Sequence, residues 1–367
     1  MTKKYKSGKS ISKKLFMAPL TRLRATMPGH MPNTLMGKYY SQRSGNNGAS
    51  NIITEATNVS DTATGYYAEP GIFTEIQEFE WKKIIDLVHS KGSKIWCQLW
   101  HVGRVSHFSL QPNGNKPISA TSKRCSNLVP IDSSMKRVPC SEPRSIETSE
   151  IVGLVNSFKQ AAIRAKNAGF DGVEIHGANG YLLEQFLRSG INNRTDSYGG
   201  TLKNRMRFCI EVVEAVCEVW KPDQVGYRIS PISGDMNGDR GEENMIETYG
   251  ALADQLAEMN LAFLDVVESF SGLREDGIDE VCARLRTAFN GIDGKKKYIA
   301  GGGYDWKRGK EALNSNHCDA LIFGKLFLAN PDLAFRFKND LTLNEPDKST
   351  FYKGGDKGYT DYPKWVE

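Results

Sequence analysis

The sequence predicts a parallel (β/α)8 barrel, an α/β fold carrying one irregular insertion after the third strand. Eight short apolar runs alternate with segments of helical periodicity between Leu15 and Phe323. Such alternation calls for parallel strands joined by right-handed crossovers, and eight is the strand number that closes a barrel. A doubly wound open sheet would carry a glycine-rich nucleotide turn after its first strand. Here the first run passes into Pro19, Leu20, Thr21 and Arg22 instead.

The elements follow in order. Leu15–Leu20 is the first strand and Asn33–Ser44 is helix-like. Asn51–Ala56 is the second strand. Apolar residues at Ile76, Phe79, Ile84, Leu87 and Val88 form a stripe that makes Glu75–Lys91 a helix, stopped by Gly92. Lys94–His101 is the third strand. The stretch Val102–Ile146, rich in Ser, Pro and Asn, has no periodicity and reads as the insertion. Ser149 is expected to cap a helix that runs to Ala168 and ends at Gly169. Phe170–Ile175 is the fourth strand. Helix Leu202–Trp220, strand Val225–Ser230, helix Met245–Met259 and strand Phe263–Val267 come next. Helix Glu280–Phe289, strand Lys297–Ala300, helix Trp306–Asn314 and strand Ala320–Phe323 complete the series. We read residues 1–367 as a single domain, because α/β barrels run long as one unit.

Composition excludes several classes. A chain with 25% charged and 39% hydrophobic residues is ordinary for a globular protein. A net charge of +5 with scattered Lys and Arg is not a nucleic-acid footprint. The one basic cluster, Lys3 to Lys14, reads as a solvated arm. No run is long and apolar enough to span a membrane, and the N-terminus lacks the apolar core of a signal peptide. A cytoplasmic location is therefore expected. The seven cysteines include no C-x-x-C pair, so neither zinc nor an iron–sulfur cluster is signalled. They read as thiols of a reducing compartment, where the glycosylation patterns at Asn58 and Asn193 are without consequence.

Active sites of such barrels lie at the C-terminal strand ends. After strand four come His176, Asn179 and Tyr181, two hydrogen-bond donors for one substrate oxygen and one proton source. Taken singly, a core histidine or a packed aromatic is the commoner explanation; within six positions of one strand end, the three together point to chemistry. Loops after strands seven and eight commonly hold phosphate. Gly301 to Gly303 let backbone amides approach an anion, and Gly324-Lys325 adds a second approach and a charge. Gln98 offers an amide that donates and accepts, suited to a pyrimidine-like ring edge, or a satisfied core amide. Arg228, inside an apolar strand, demands a partner. That partner is either the N1 region of a flavin or a carboxylate such as Glu55 or Glu174.

Taken together, the segments MAPLTR (17 to 22), QLWHVGR (98 to 104), DGVEIHGANGYLLEQFL (171 to 187), NNRTDSYGG (192 to 200), NRMRF (204 to 208), RISP (228 to 231), AGGGYD (300 to 305), LANPDL (328 to 333) and YTDYP (359 to 363) resemble the old yellow enzyme family of FMN-dependent ene-reductases. Thr21 is similar to the branch with pentaerythritol tetranitrate and N-ethylmaleimide reductases. The resemblance implies that Pro19, Leu20, Thr21, Ala56 and Gln98 contact the flavin ring, that Arg228 lies at N1 and C2, and that Gly302, Gly303, Gly324 and Lys325 cradle the phosphate. It implies that His176 and Asn179 bind the substrate oxygen, that Tyr181 is the proton donor, and that Tyr66, Trp100 and Tyr362 wall the pocket. The implied activity is reduction of an activated C=C bond, with FMN tightly bound and NADPH or NADH as reductant. Nitro compounds, quinones and prostaglandin endoperoxides are further substrates within the family. The expected partner is a small molecule, with no nucleic acid, membrane or metal, in a monomer or homodimer. A redox-sensing flavoprotein without catalysis is the alternative on the same fold.

The family pattern has Gly-Arg where this chain has Gly324-Lys325. Lysine keeps the charge but lacks the planar fork that grips phosphate through two bonds. Lys325→Arg is therefore expected to tighten FMN binding, measured by titrating FMN-free protein and following flavin fluorescence; unchanged or weaker affinity would refute the expectation.

Overall fold

Eight strands close into one parallel barrel. The computed structural model describes residues 12–231, 242, 244–269, 277–290 and 296–366, so most of the Lys3–Lys14 cluster lies outside the described residues. The strands are β1 (Leu15–Met17), β2 (Asn51–Ile53), β3 (Lys94–Trp100), β4 (Gly172–His176), β5 (Val225–Ile229), β6 (Phe263–Val267), β7 (Lys297–Gly301) and β8 (Ala320–Phe323). Each pairs in parallel with the next, and β8 returns to β1 through Leu15 opposite Leu321 and Met17 opposite Phe323. The expected eight-stranded barrel is thus present. Strands β1 and β2 are shorter than their apolar runs, because the chain leaves the barrel after Met17 and Ile53. That exit frees Pro19, Leu20, Thr21 and Ala56 to line the cleft above.

The helices are α1 (Thr34–Gln42), α2 (Glu75–His89), α3 (Ile151–Ala168), α4 (Leu182–Leu187), α5 (Leu202–Cys217), α6 (Met245–Glu258), α7 (Ile278–Ala288), α8 (Trp306–Asn314), α9 (Lys325–Ala329) and α10 (Leu333–Lys338). The predicted cap at Ser149 is corrected. Ser149 lies inside a 3-10 turn, Thr148–Glu150, and Glu150 stands at the cap of α3. The Glu150 carboxylate accepts the Glu147 amide at 2.8 Å and the Arg144 guanidinium at 2.6 Å, which anchors this start. Gly169 ends α3 at φ +98°, a left-handed conformation that glycine adopts without strain. Helix α5 stops at Cys217, before Trp220, whose Nε1 donates to Ala162 O across the helix pair at 3.0 Å.

Side chains alternate across each strand. One set faces the helices: Leu15, Ile52, Cys97, Val173, Ile175, Tyr227, Leu264 and Leu321 belong to the large outer core. The other set faces the barrel axis, where Phe16, Ile53, Trp96, Phe263, Ile299 and Ile322 form a separate apolar plug. Two residues further along the inward face lie Gln98, Glu174, Arg228 and Asp265, polar and nearly fully enclosed. The plug closes the N-terminal side of the barrel, and the polar layer is the floor of whatever binds above.

The insertion organises into two small sheets. Ile118–Ser119 pairs with Arg144–Ser145, and Leu128–Pro130 forms an antiparallel hairpin with Arg137–Pro139. Arg194 ties its end down, donating to Ile146 O at 2.6 Å while paired with Asp196. At the insertion's root, His101 is fully buried; its Nδ1 accepts from Gly103 N at 3.0 Å. Burial pushes this imidazole down to about 3. Between about pH 6.5 and 3 the unfolded chain therefore binds a proton that the folded chain does not, and stability falls as pH drops through that window. His101→Gln keeps an acceptor for Gly103 but does not titrate. Between pH 6.5 and 4 its stability should fall less than that of the parent, by on the order of 3 kcal/mol. Urea unfolding across this range checks it, and parallel stability profiles would contradict it.

Candidate active site

The C-terminal strand ends open into one elongated cleft with two lobes. One lobe, of about 610 Å³, is lined by Ser269, Gly301, Gly302, Gly303, Gly324 and Trp306 among others. The second, of about 480 Å³, is lined by Thr21, Ala56, Tyr66, Gln98, Trp100, His176, Asn179 and Tyr181. Pro19, Leu20, Arg228 and Lys325 line both, so the lobes meet at these four residues.

The first lobe is built by two glycine turns. Gly302 and Gly303 adopt φ +100° and +70°, and a Cβ on Gly302 would lie 2.3 Å from Ser269 O. No other residue fits that turn. A buried carboxylate holds the loop: Glu268 accepts from Tyr298 Oη at 2.7 Å, from Tyr304 Oη at 2.6 Å and pairs with His317 at 2.7 Å. Arg308 Nη1 donates to Gly303 O at 2.9 Å, which leaves this carbonyl turned toward the guanidinium. Gly324 opens α9 against Leu20, and Lys325 stands exposed at the junction of the lobes. The lobe thus combines glycine backbone with a cation, the chemistry an anion needs.

The second lobe is built by the turn after β4. Asn179 sits at φ +62°, a conformation that asparagine tolerates better than most residues. Its backbone N–H donates to Ser230 Oγ at 2.7 Å. Glu184, fully buried, receives the Gly180 amide, the Tyr249 hydroxyl, Ser230 Oγ at 3.1 Å and the Arg188 guanidinium at 2.9 Å. A single carboxylate therefore fixes both flanks of the loop that carries Asn179 and Tyr181. His176 is 4% exposed, and its buried Nδ1 has no protein partner. Burial, reinforced by the Arg228 charge, holds the ring well below the usual imidazole range, so it is neutral with one N–H. Tyr181 stands edge-on to Trp100 at 4.9 Å, with its hydroxyl 3.0 Å from that of Tyr66. Burial raises Tyr181 above the ordinary phenol range, so it keeps its proton. Tyr66 is held from behind by Glu69, which accepts the Gly65 and Tyr66 amides at 2.7 and 3.2 Å, and Asn127 Nδ2 donates to its hydroxyl at 3.4 Å.

At the floor, Gln98 Nε2 donates to Glu174 Oε1 at 2.7 Å. The carboxylate that pairs with Arg228 is Asp265, not Glu55 or Glu174, the two named from sequence as alternatives to a flavin. Glu55 is engaged elsewhere, by Tyr40 Oη at 3.2 Å and the Arg22 amide at 3.3 Å. Arg228 Nε remains buried without a partner.

Every expected residue but one therefore meets in this cleft. The exception is Tyr362, which lines neither lobe; its hydroxyl accepts the Asp347 amide at 2.8 Å. Phe351 and Tyr352 stand at the wall instead, and Tyr352 lies 5.4 Å from the Arg137 guanidinium of the insertion hairpin. Asn127, Arg137, Phe351 and Tyr352 were not anticipated, because they come from segments with no periodic pattern, and neither was Arg336, because its helix α10 follows the last strand, beyond the strand ends. Ser269 had a signal, being two residues past β6.

A flavin mononucleotide fits these two lobes. Its phosphate suits the glycine turns and Lys325, and its ring edge suits the orphaned Arg228 Nε and the Gln98 amide.

Comparison with known proteins agrees. Residues 4–344 match the model of the NADH:flavin oxidoreductase / NADH oxidase family. 12-oxophytodienoate reductase 1 of Oryza sativa subsp. japonica is 42% identical over 370 residues, covering 98% of this chain and 91% of the relative. 12-oxophytodienoate reductase 2 of Arabidopsis thaliana is 41% identical over 374 residues, covering 98% and 94%. The structure of morphinone reductase in complex with tetrahydroNAD superposes with a TM-score of 0.88 at 43% identity, covering 96% of this chain and 94% of that one. The chain belongs to the NADH:flavin oxidoreductase / NADH oxidase family, as an FMN-dependent oxidoreductase of the old yellow enzyme kind.

Proposed function

We propose that this enzyme reduces the activated C=C bond of an α,β-unsaturated carbonyl at the wall formed by His176, Asn179 and Tyr181. Bound FMN supplies the hydride chemistry, drawing on NADH or NADPH. The observation that carries the reading is the pairing, in one lobe, of a neutral His176 with an orphaned Nδ1 and a protonated Tyr181. His176 and Asn179 hold the carbonyl oxygen and stabilise the negative charge that develops on it. A histidine kept neutral donates one hydrogen bond without placing a full charge beside Arg228. Tyr181 gives its proton to the α-carbon, and the Tyr66 hydroxyl 3.0 Å away stabilises the oxygen left behind. Trp100 and Tyr66, stacked at 5.9 Å, exclude water from that transfer.

In the first lobe, Gly302, Gly303, Gly324 and Lys325 hold the phosphate. Pro19, Leu20, Thr21, Ala56, Gln98 and Arg228 hold the ring. The relatives named for 12-oxophytodienoate and morphinone make cyclic enones the substrate class to test first. We place the enzyme in the cytosol; none of the seven cysteines is in a disulfide, and among the described residues no helix is long and apolar enough to cross a membrane.

Tyr181→Phe separates the two half-reactions. Reoxidation by 2-cyclohexenone should slow by about 100-fold or more, while flavin reduction by NADPH stays close to the parent rate in stopped flow. Equal losses in both halves would rule out the assignment. His176→Ala should weaken the binding of phenols, which mimic the enolate oxygen.

A further inference from the structure

The floor beneath the ring lobe contains more charge than holding a ring requires. Strand register places Arg228 directly opposite Asp265 and places Glu174 opposite Gly226. Glu174 on β4 and Asp265 on β6 thus flank Arg228 on the two strands paired with β5, and both feel its charge. Asp265 and Glu174 are fully buried, and the Arg228 side chain is 11% exposed. Arg228 lines both lobes of the cleft, whereas Asp265 and Glu174 line neither. The two carboxyls therefore stand behind the cation, screened from solvent.

The two carboxyls are not equivalent. Asp265 Oδ2 is bonded to Arg228 Nη1, and its carboxyl also meets that of Glu174. Glu174 Oε1 takes the Gln98 amide at 2.7 Å, and its carboxyl shares a hydrogen bond with that of Asp265. Burial and the neighbouring Asp265 charge drive Glu174 well above the usual carboxylate range. Burial raises Asp265 as well, opposed by the Arg228 charge beside it, so the carboxyl bonded to the cation is the one that holds negative charge and Glu174 is the one driven toward the neutral acid.

Resting on the reading that FMN occupies this cleft, we propose that Asp265, acting through Arg228, sets the midpoint potential of the bound flavin. Reduction adds negative charge near the flavin N1, and a bare guanidinium in a dry site would strongly favour the reduced form. The Asp265 carboxylate offsets that attraction from behind. It lowers the potential, so that the electron pair passes on to a substrate instead of being held. Asp265 takes no part in binding substrate or in moving a proton; its effect is on the equilibrium between the two redox forms.

The test is the midpoint potential of FMN-loaded Asp265→Asn, measured by dye-equilibrated reduction against the parent enzyme. The variant keeps an oxygen for Arg228 and removes the charge. Its potential should move positive by a tenfold or larger shift in the two-electron equilibrium, about 30 mV per factor of ten. Asp265→Ser, which also removes the charge, should move it the same way and serves if the asparagine variant folds poorly. Glu174→Gln should shift it less than Asp265→Asn, because Glu174 bonds Gln98 and not the guanidinium. An FMN-loaded Asp265 variant with an unchanged or lower potential overturns the proposal, as does a larger positive shift in Glu174→Gln. Failure of the parent chain itself to take up FMN overturns the reading of the cleft, a result distinct from either.

Discussion

A closed eight-stranded barrel leaves its axis room for side chains alone, so every second residue of each strand must share that space. Here the sharing is layered. Phe16, Ile53, Trp96, Phe263, Ile299 and Ile322 fill the lower part and exclude water from it. Above them Gln98, Glu174, Arg228 and Asp265 are packed on a surface that cannot solvate them. Polar groups in such a place must find one another, and they do: Gln98 bonds Glu174, and Arg228 bonds Asp265. Two donor or acceptor nitrogens without a protein partner, Arg228 Nε and His176 Nδ1, belong to residues that line the cleft. The layer is therefore a base made complete by a ligand, and the location of the active site follows from how the axis is filled.

The same logic of buried charge governs the loops. Glu184 collects four donors and thereby fixes the turn that carries Asn179 and Tyr181. Glu268 collects two tyrosines and a histidine and fixes the glycine turn after β7. Glu69 gathers two amides and fixes Tyr66. Buried ion pairs are weak sources of net stability, because desolvation offsets most of the attraction. Their value lies in geometry: removing any one carboxylate would release several donors at once, and a reacting group displaced by about 1 Å loses much of its effect. Three loops from distant parts of the chain are each held by an acid that does no chemistry.

Coverage of the cleft comes from outside the repeating pattern. The insertion sends Asn127 toward Tyr66 and Arg137 toward Tyr352, so two irregular segments meet over the substrate lobe. A barrel supplies a floor and a ring of strand ends; segments free of the helical and strand periods supply the roof. Relatives that share the floor and differ in the roof are expected to share chemistry and differ in substrate.

The eight strands, the site at their ends, and the group His176, Asn179 and Tyr181 were legible in the sequence, because period and position along the chain carry that information. The glycines of the first lobe were legible too, since glycine at a strand end has a local meaning. The resemblance of whole segments added the cofactor and the residue roles. What stayed hidden depended on contacts between distant residues. Asp265 stands in an apolar strand with its polar side chain inward, yet its bond to Arg228 follows only from the register of β5 against β6. Tyr362 and Tyr352 are both aromatic residues of the C-terminal segment, and only packing decides that Tyr352 reaches the cleft while Tyr362 accepts the Asp347 amide. The start of α3 depends on Arg144 reaching Glu150, a pairing that outweighs the local preference of Ser149. Local pattern determined which elements form and where the reacting groups lie along the chain; tertiary structure decided which charges face each other, because pairing depends on distances that sequence spacing does not encode.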